Sequence, residues 1–217
     1  MARVRVHNLA VSLDGFATGE GQSLEQPFGH AGGRLMSWFF PTRTFTAMSG
    51  RDGGTTGVDD AFAAQSWNGI GAEIMGANKF GPLDPPWWED PDWQGWWGEE
   101  PPFRTPVIVL THHPRPDLVL GATRFLFRDA SPAEALEEAT ALADGLDVRL
   151  GGGPTSVRAF LEADLVDHLH VVVVPILLGR GVRLWDGLEG LEQRFDVESV
   201  ASPSGVVHHV FTRRPRG

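Results

Sequence analysis

The sequence of 217 residues contains no cysteine and no tyrosine. Without cysteine, the chain has no disulfide bond, no thiolate zinc site and no cysteine nucleophile. Without tyrosine, no phenol is available as a proton donor. Catalytic or binding chemistry therefore has to come from carboxylates, hydroxyls, histidines, lysines or a bound cofactor.

Basic residues are scarce in this chain. There are 18 lysines and arginines against 28 aspartates and glutamates, which gives a formal net charge of −10 at pH 7, and no run of basic residues offsets it. A nucleic-acid backbone or an anionic membrane surface would be repelled by such a protein. We therefore expect neither a nucleic acid nor a membrane as its partner.

Long apolar runs are also absent. The longest, residues 169–178, is interrupted by His170 and Pro175 and falls far short of the ~20 residues that span a bilayer. The first residues lead into an alternating pattern rather than the apolar region of a signal peptide. These features predict a cytoplasmic protein.

The remaining composition is typical of a globular protein. Apolar residues make up 41% and charged residues 21%, while 27 glycines and 16 prolines without any period predict many turns. No internal repeat or linker divides the sequence. We expect one domain over residues 1–217, with a long structured loop at residues 81–106, where five tryptophans lie among prolines.

The hydrophobic pattern alternates between strands and helices. Ser131-Pro132-Ala133-Glu134 is a capping box that starts the best-defined helix, which ends near Gly145. A second helix over residues 59–67 has Thr55, Thr56 or Asp59 as possible N-caps. Further predicted elements are strands 4–11, 72–76, 106–111, 123–127, 147–150 and 167–176, a helix over 154–163, and a hairpin of 194–200 with 206–212. This order predicts one mixed sheet covered by helices.

A glycine turn lies where a predicted strand passes into a helix: Gly151-Gly152-Gly153-Pro154-Thr155. At such a point the free backbone N–H groups and the helix dipole favour an anion, and the absence of side chains lets a phosphate approach. A nucleotide phosphate is the natural ligand. The alternative is a tight turn that needs glycine conformations and binds nothing, since the spacing is not that of the dinucleotide fingerprint.

Histidines form the next group of candidates. Thr111 and His112 follow a buried strand directly, which is where open α/β sheets bind ligands, so they are candidates to contact the ribose or phosphate of a nucleotide. A solvent-exposed loop is the alternative. His168 and His170 share a strand face and His208 neighbours another histidine, so a histidine-only zinc site is a further hypothesis, although no metal-binding spacing supports it.

Asp14 ends the first predicted strand. A carboxyl group there is a candidate proton donor or polarising group, and burial would raise its pKa towards a useful value. The alternative is a turn-forming Asp-Gly pair.

Together these segments resemble the dihydrofolate reductase-like superfamily, and more closely the reductase domain of the bifunctional riboflavin-biosynthesis deaminase-reductase and its stand-alone relatives. The resemblance covers most of the chain. The segments that carry it are Ser12-Leu13-Asp14-Gly15, residues 74–80, residues 107–111, Gly151-Gly152-Gly153, residues 165–170 and residues 175–179.

The resemblance implies a three-layer αβα sandwich around a mostly parallel mixed sheet with an antiparallel C-terminal strand. It also implies NADPH as cofactor, bound across the strand ends, and a homodimer. The pyrophosphate would lie on the glycine turn, Thr111 and His112 near the 2′-phosphate, and Asp14 beside the nicotinamide. The adenosine-side phosphates would meet Gly76, Ala77, Asn78 and Lys79. Members of the superfamily usually have Gly-Arg-x-Thr here, so Lys79 or the histidines are the candidates to replace the arginine.

The implied reaction is hydride transfer from NADPH to a C=N or C=O carbon of a small heteroaromatic or ribosyl-type substrate, pterin- or pyrimidine-like. Substrate identity is expected to depend on the insertions at 19–58 and 82–105, with Trp38 and Phe39 as ring-stacking candidates. A non-catalytic protein that binds a nucleotide or flavin-like ligand on the same scaffold is the alternative. A zinc-dependent hydrolase is a third hypothesis.

Overall fold

Residues 2–215 are described by the computed structural model, and their strands form a nine-stranded mixed sheet and a separate two-stranded pair. The strands are β1 (Val4–Ser12), β2 (Phe16–Thr18), β3 (Ile70–Gly76), β4 (Pro106–Leu110), β5 (Leu118–Leu120), β6 (Thr123–Arg128), β7 (Asp147–Leu150), β8 (His168–Val174), β9 (Val182–Arg183), β10 (Phe195–Ala201) and β11 (Val207–Arg213).

Helices cover both faces of the large sheet. The α-helices are α1 (Arg43–Met48), α2 (Val58–Gln65), α3 (Ala77–Phe80), α4 (Pro132–Leu142) and α5 (Pro154–Glu162). Three 3-10 segments lie at Gly29–Met36, Trp87–Glu89 and Leu191–Arg194. Apart from the second of these, residues 81–105 are irregular, which confirms the predicted structured loop; we call residues 81–105 the tryptophan loop.

The strand order in the large sheet is β10-β11-β8-β1-β7-β3-β4-β6-β5. The six strands from β8 to β6 are parallel, and β11 pairs antiparallel with β8. This confirms the predicted three-layer αβα architecture with an antiparallel C-terminal strand. The opposite edge is also antiparallel, because β5 pairs with β6 as a hairpin.

Apolar side chains on the two faces of the sheet form separate clusters. On one face, α4 and α5 pack through Ala135, Ala139 and Phe160 against the sheet. The other face carries two clusters. The first, which we call the Trp38 cluster, joins Trp38 and its neighbours to β8, and the second joins the tryptophan loop to β3, β4 and β6. The cleft described below lies between these two clusters.

The capping box of α4 forms as the sequence predicts. The Ser131 hydroxyl accepts a hydrogen bond from the Glu134 amide, and the Glu134 carboxylate accepts one from the Ser131 amide at 2.9 Å. Both bonds satisfy amides that an α-helix leaves without partners at its start.

Removing this cap is expected to destabilise the protein. Ser131→Ala should lower the free energy of unfolding by about 1 kcal/mol, as is usual for a lost N-cap. Thr140→Ala, on the exposed side of the same helix, is the control and should change it by less than about 0.5 kcal/mol. Urea denaturation followed by circular dichroism measures both, and an equal effect of the two substitutions would contradict the capping role.

Several elements differ from the prediction. Helix α2 begins at Val58 after the N-cap Gly57, which provides no side-chain cap, so none of the three predicted caps is used. Thr55 instead forms an isolated bridge with Thr42, and the Asp59 carboxylate bonds to His208. Thr55 and Asp59 thus bond to residues distant in sequence instead of capping α2. Among residues 2–215 no helix is long and apolar enough to cross a membrane.

Candidate active site

A cleft of about 1520 Å³ crosses the face of the sheet that carries the two separate clusters. Its floor includes part of β1 and the segments that follow β3, β4 and β7. One wall contains Phe39, and the other contains Trp88, Trp97 and Phe103 from the tryptophan loop. Pockets for single small molecules usually measure about 300–1,000 Å³. The cleft therefore has room for a dinucleotide together with a second small molecule.

The glycine turn lines this cleft and links β7 to α5. Gly152 has a φ of +106°, which favours glycine, and a Cβ added to Gly152 or Gly153 would meet no atom within 4 Å. Helix α5 starts after Gly153 with Pro154 in its first turn, and no side chain caps it. The backbone amides at its start, including that of Thr155, are therefore left for a ligand, in contrast to those of α4.

The other segments expected to bind cofactor reach the same cleft. Gly76, at the end of β3, donates a backbone hydrogen bond to the Gly152 carbonyl at 3.2 Å, so the two glycine segments are in direct contact. Gly76, Ala77, Asn78 and Lys79 all line the cleft, as do Thr111 and His112 after β4. Because β7, β3 and β4 are parallel neighbours, their carboxyl ends bring these segments together.

His112 projects from this edge into solvent. Its side chain is 90% exposed, and its Nδ1 lies 2.9 Å from the Asp129 carboxylate. Thr111 is buried, and its hydroxyl accepts a hydrogen bond from the His113 amide at 3.0 Å. Of the two, His112 is the side chain free to meet a ligand at the cleft edge.

The structure brings only one of the two expected substrate-stacking residues to the cleft. Phe39 lines it, whereas Trp38 is 2% exposed and lies in the apolar cluster behind it. There the Trp38 ring packs edge-on against His208 with 5.3 Å between ring centres. Trp38 therefore supports the wall rather than facing a ligand.

Asp14 lies outside the residues that line the cleft. Its carboxylate accepts hydrogen bonds from the Ser12 hydroxyl and from the amides of Leu178 and Gly179. The bond from Ser12, followed by that from Gly179, lowers the pKa of Asp14 to about 2. The direction is opposite to the expected increase, because hydrogen bonds to the charged form outweigh burial. Asp14 is ionised at neutral pH and fastens the turn after β1 to the segment after β8.

Comparison of the sequence with models of known protein families identifies the family of this chain. The model of the RibD C-terminal domain matches residues 4–208. The chain belongs to this family. No curated protein sequence matches the chain.

Solved structures with the fold of this RibD C-terminal domain come from several bacteria. A protein assigned to riboflavin biosynthesis from a Shewanella species is 22% identical, with a TM-score of 0.60 over 99% of this chain and 100% of that chain. A pyrimidine reductase-like protein from Corynebacterium diphtheriae is 13% identical, with a TM-score of 0.53 over 99% and 93%. A diaminohydroxyphosphoribosylaminopyrimidine deaminase/5-amino-6-(5-phosphoribosylamino)uracil reductase from Thermotoga maritima is 15% identical, with a TM-score of 0.53 over 98% and 57%. At these identities the likeness shows a common fold.

This RibD C-terminal domain also contains a charged cluster that the sequence analysis did not identify. Glu73 on β3 is 1% exposed, and its carboxylate lies 2.9 Å from Lys79 Nζ and 3.4 Å from Arg149 Nη1 on β7. We call these three residues the charged floor. The signal was present in the sequence, since Glu73 interrupts an otherwise apolar strand and Arg149 lies between Val148 and Leu150.

Buried histidines form a second unexpected network in the domain. His208 Nε2 lies 2.8 Å from the Asp59 carboxylate, and His208 Nδ1 lies 3.0 Å from His170 Nε2. With both rings neutral, His170 donates to His208, which donates to Asp59, and His170 Nδ1 accepts from the Asn8 backbone amide at 3.4 Å. The 2.9 Å contact of His170 Nδ1 with the Asn8 side chain is then a hydrogen bond when the side-chain nitrogen faces the ring. Two of the histidines considered as zinc ligands, His170 and His208, thus bond to one another, and His208 bonds to α2. Residues 2–215 contain no cluster of three potential ligands placed to hold a metal.

These histidines are expected to make the domain sensitive to acid. Burial lowers the pKa of His7 to about 2, that of His168 to about 4 and that of His170 to about 3. The unfolded chain takes up protons near pH 6.5, whereas the folded chain does not. The free energy of unfolding should therefore be greatest above pH 6.5 and fall as the pH decreases, by up to about 1.4 kcal/mol per pH unit for each histidine.

Urea denaturation between pH 7.5 and 5 measures this dependence. The slope should be shallower in His168→Asn, because one buried histidine is removed. His113→Asn, at an exposed position, is the control and should retain the full slope. A free energy of unfolding that does not change between pH 7.5 and 5 would contradict the neutral, buried state of the three rings.

Proposed function

We propose that this protein is an NADPH-dependent reductase that transfers hydride to a C=N or C=O group of a small heteroaromatic or ribosyl-type substrate, with residues 1–217 acting as one reductase domain. The observation that carries the proposal is the uncapped start of α5 at the glycine turn, which faces the same cleft as Gly76–Lys79 and Thr111–His112. Membership of the RibD C-terminal domain family supports a reductase role. The homodimer and the cytoplasmic location stay predictions.

The residues of the cleft fit a dinucleotide. Gly152 and Gly153 leave open space, so a pyrophosphate can approach the amides of α5 closely. Lys79, which pairs with Glu73, is the basic side chain that lines the cleft beside this turn, whereas Ala77 carries no charge. When bound, the nicotinamide supplies the hydride, while the chain holds the cofactor, orients the substrate and excludes water.

Hydride transfer is tested with NADPH deuterated at C4. Calorimetric titration with NADPH, NADP⁺ and NADH comes first, and binding of NADPH in the micromolar range justifies a screen of pterin- and pyrimidine-like substrates. Deuterium found in a reduced product supports the reductase. Absence of binding by any nicotinamide dinucleotide would refute the proposal.

One observation favours a non-catalytic ligand-binding protein as a second candidate. Asp14, the carboxylate expected beside the nicotinamide, is ionised and holds a turn together, so it is unsuited to donate a proton. In this case the protein binds the dinucleotide, or a flavin-like ring, without transferring deuterium to any substrate in the screen.

The role proposed for His112 gives a specific prediction. Its exposed ring, oriented by Asp129, is placed to contact the 2′-phosphate that distinguishes NADPH from NADH. His112→Ala should weaken NADPH binding about threefold to tenfold and leave NADH binding unchanged, as expected for one exposed polar contact. Fluorescence titration measures both affinities, with His113→Ala as the neighbouring control. An equal loss for the two cofactors would argue against this role.

A further inference from the structure

The charged floor has more basic than acidic side chains. Lys79 and Arg149 share one carboxylate, that of Glu73, at a buried position, and the Arg149 guanidinium stays charged. Of the acidic residues of the cleft walls, Asp129 pairs with His112, and Glu100 is exposed with its carboxylate beside Gly121. A positive charge that is screened poorly by water attracts an anion strongly.

Two N–H groups of Arg149 also lack hydrogen-bond partners, although one of them, Nη1, lies 3.4 Å from the Glu73 carboxylate. Arg149 is 8% exposed and lines the cleft, yet its Nε and Nη1 groups form no hydrogen bond within residues 2–215. Its guanidinium lies over the Trp67 ring, with 4.0 Å to the ring centre, so the indole covers one face and leaves the edge for hydrogen bonding. Buried guanidinium N–H groups are costly to leave without acceptors, which indicates that a ligand supplies them.

Neighbouring groups on the same floor are donors as well. The Arg5 guanidinium donates to His7 Nε2 at 2.9 Å, so the proton of this neutral ring is on Nδ1, which is buried and has no partner in the described part of the chain. The same is true of Trp67 Nε1. His7, Trp67 and Arg149 all line the cleft. A ligand complementary to these donors has to be rich in acceptor oxygens.

The absence of a side chain at Gly151 leaves room for the charged floor beside the glycine turn. A Cβ at this position would collide with the Glu73 carboxylate and with Lys79 Nζ. Glycine therefore lets the charged floor lie directly beside the turn proposed to bind the cofactor. Aromatic side chains surround the cluster, since Trp67 stacks on Arg149 and the Phe103 ring centre lies 5.4 Å from Lys79 Nζ.

We propose that the charged floor is a subsite for a carboxylate of the substrate, bound by the edge of the Arg149 guanidinium with Lys79 as the second positive charge. This makes the substrate an aromatic or heteroaromatic acid whose ring lies near Trp67 and Phe103. A planar carboxylate matches the fork of N–H groups that a stacked guanidinium offers at its edge. The inference rests on the proposed reductase function only in naming this ligand a substrate.

The test uses the full-length protein free of dinucleotide, titrated calorimetrically with benzoate, benzamide and phenyl phosphate. Benzoate and its neutral amide have nearly the same shape, so their difference reports the charge. Benzoate is expected to bind at least tenfold more tightly than benzamide. Equal affinities for benzoate and benzamide would overturn the proposal. So would the absence of benzoate binding at concentrations up to about 10 mM. Tighter binding of phenyl phosphate would overturn the choice of a carboxylate.

Matched variants test whether Arg149 causes the preference for benzoate over benzamide. Arg149→Met keeps the stem over Trp67 and should abolish the preference for benzoate, whereas Arg149→Lys keeps the charge and should retain part of it. Arg104→Met removes an exposed arginine from the tryptophan loop and should leave the preference intact. A preference that survives in Arg149→Met, with a native far-ultraviolet spectrum, would overturn the assignment.

NADPH titration of the same preparations separates this inference from the proposed function. Binding of NADPH without discrimination between benzoate and benzamide refutes the carboxylate subsite alone. Benzoate discrimination without NADPH binding refutes the reductase and leaves the subsite.

Discussion

Replacing Gly153 with aspartate is expected to weaken NADPH binding by at least about 100-fold while the fold is retained. The residue has a φ of −49°, outside the left-handed region that favours glycine, and open space where a Cβ would stand. An aspartate there would cap α5 and place a negative charge where the pyrophosphate is proposed to bind. Two like charges about 4 Å apart near a protein surface repel by up to about 4 kcal/mol, enough for this loss.

Gly153→Asn is the matched control for this substitution. Asparagine has almost the same shape and also caps a helix, but it carries no charge. The difference between the two variants therefore measures the electrostatic part of the effect. Unchanged NADPH affinity in Gly153→Asp, measured by calorimetry, would remove the pyrophosphate from the start of α5. Gly152 is less suitable for the test, because its φ of +106° would strain any side chain.

Replacing Glu73 with alanine is expected to lower the free energy of unfolding by about 3–5 kcal/mol, the usual loss when one partner of a buried ion pair is removed. The substitution would leave Lys79 and Arg149 without their shared carboxylate. Burial already lowers the pKa of Lys79, so this residue can lose its proton, whereas an arginine stays charged. Part of the loss should therefore be recovered as the pH is raised.

Urea denaturation tests this prediction against Glu137→Ala, which makes the same chemical change on an exposed helix surface and should shift stability by less than about 0.5 kcal/mol. Glu73→Gln keeps the volume and a hydrogen-bond acceptor and should fall between the two. A loss in Glu73→Ala no larger than that of the exposed control would show that the charged floor does not stabilise the fold.

Local signals in the sequence predicted those elements whose cause is local. The capping box of Ser131 and Glu134 determines the start of α4 from four adjacent residues. The C-terminal hairpin is likewise held by neighbouring strands, β10 and β11, joined by a short turn. By contrast, β2 pairs with β9 through a few residues more than 150 positions apart, and no periodicity of 2 or 3.6 can be read from such short segments.

In the candidate site, too, features with a local cause could be predicted from the sequence, and features that depend on distant residues could not. The glycine turn could be recognised as a turn from its sequence, and its role in binding a phosphate stays a prediction that rests on backbone groups alone. The roles of Asp14 and Trp38 could not be recognised, because each depends on partners distant in sequence: the amides of Leu178 and Gly179 bond to Asp14, and His208 packs against Trp38. Glu73 was passed over for a related reason, since its two cations come from α3 and β7.

The separation of the cleft walls into two apolar clusters has a consequence for how this protein can change over evolution. Phe39 packs with the Trp38 cluster, whereas Phe103 and Trp97 pack with the cluster of the tryptophan loop. Substitutions at sites without shared partners usually have additive effects on stability. Each wall can therefore accumulate mutations without disturbing the other, and combinatorial libraries that vary one wall at a time should yield new substrate preferences with few misfolded members.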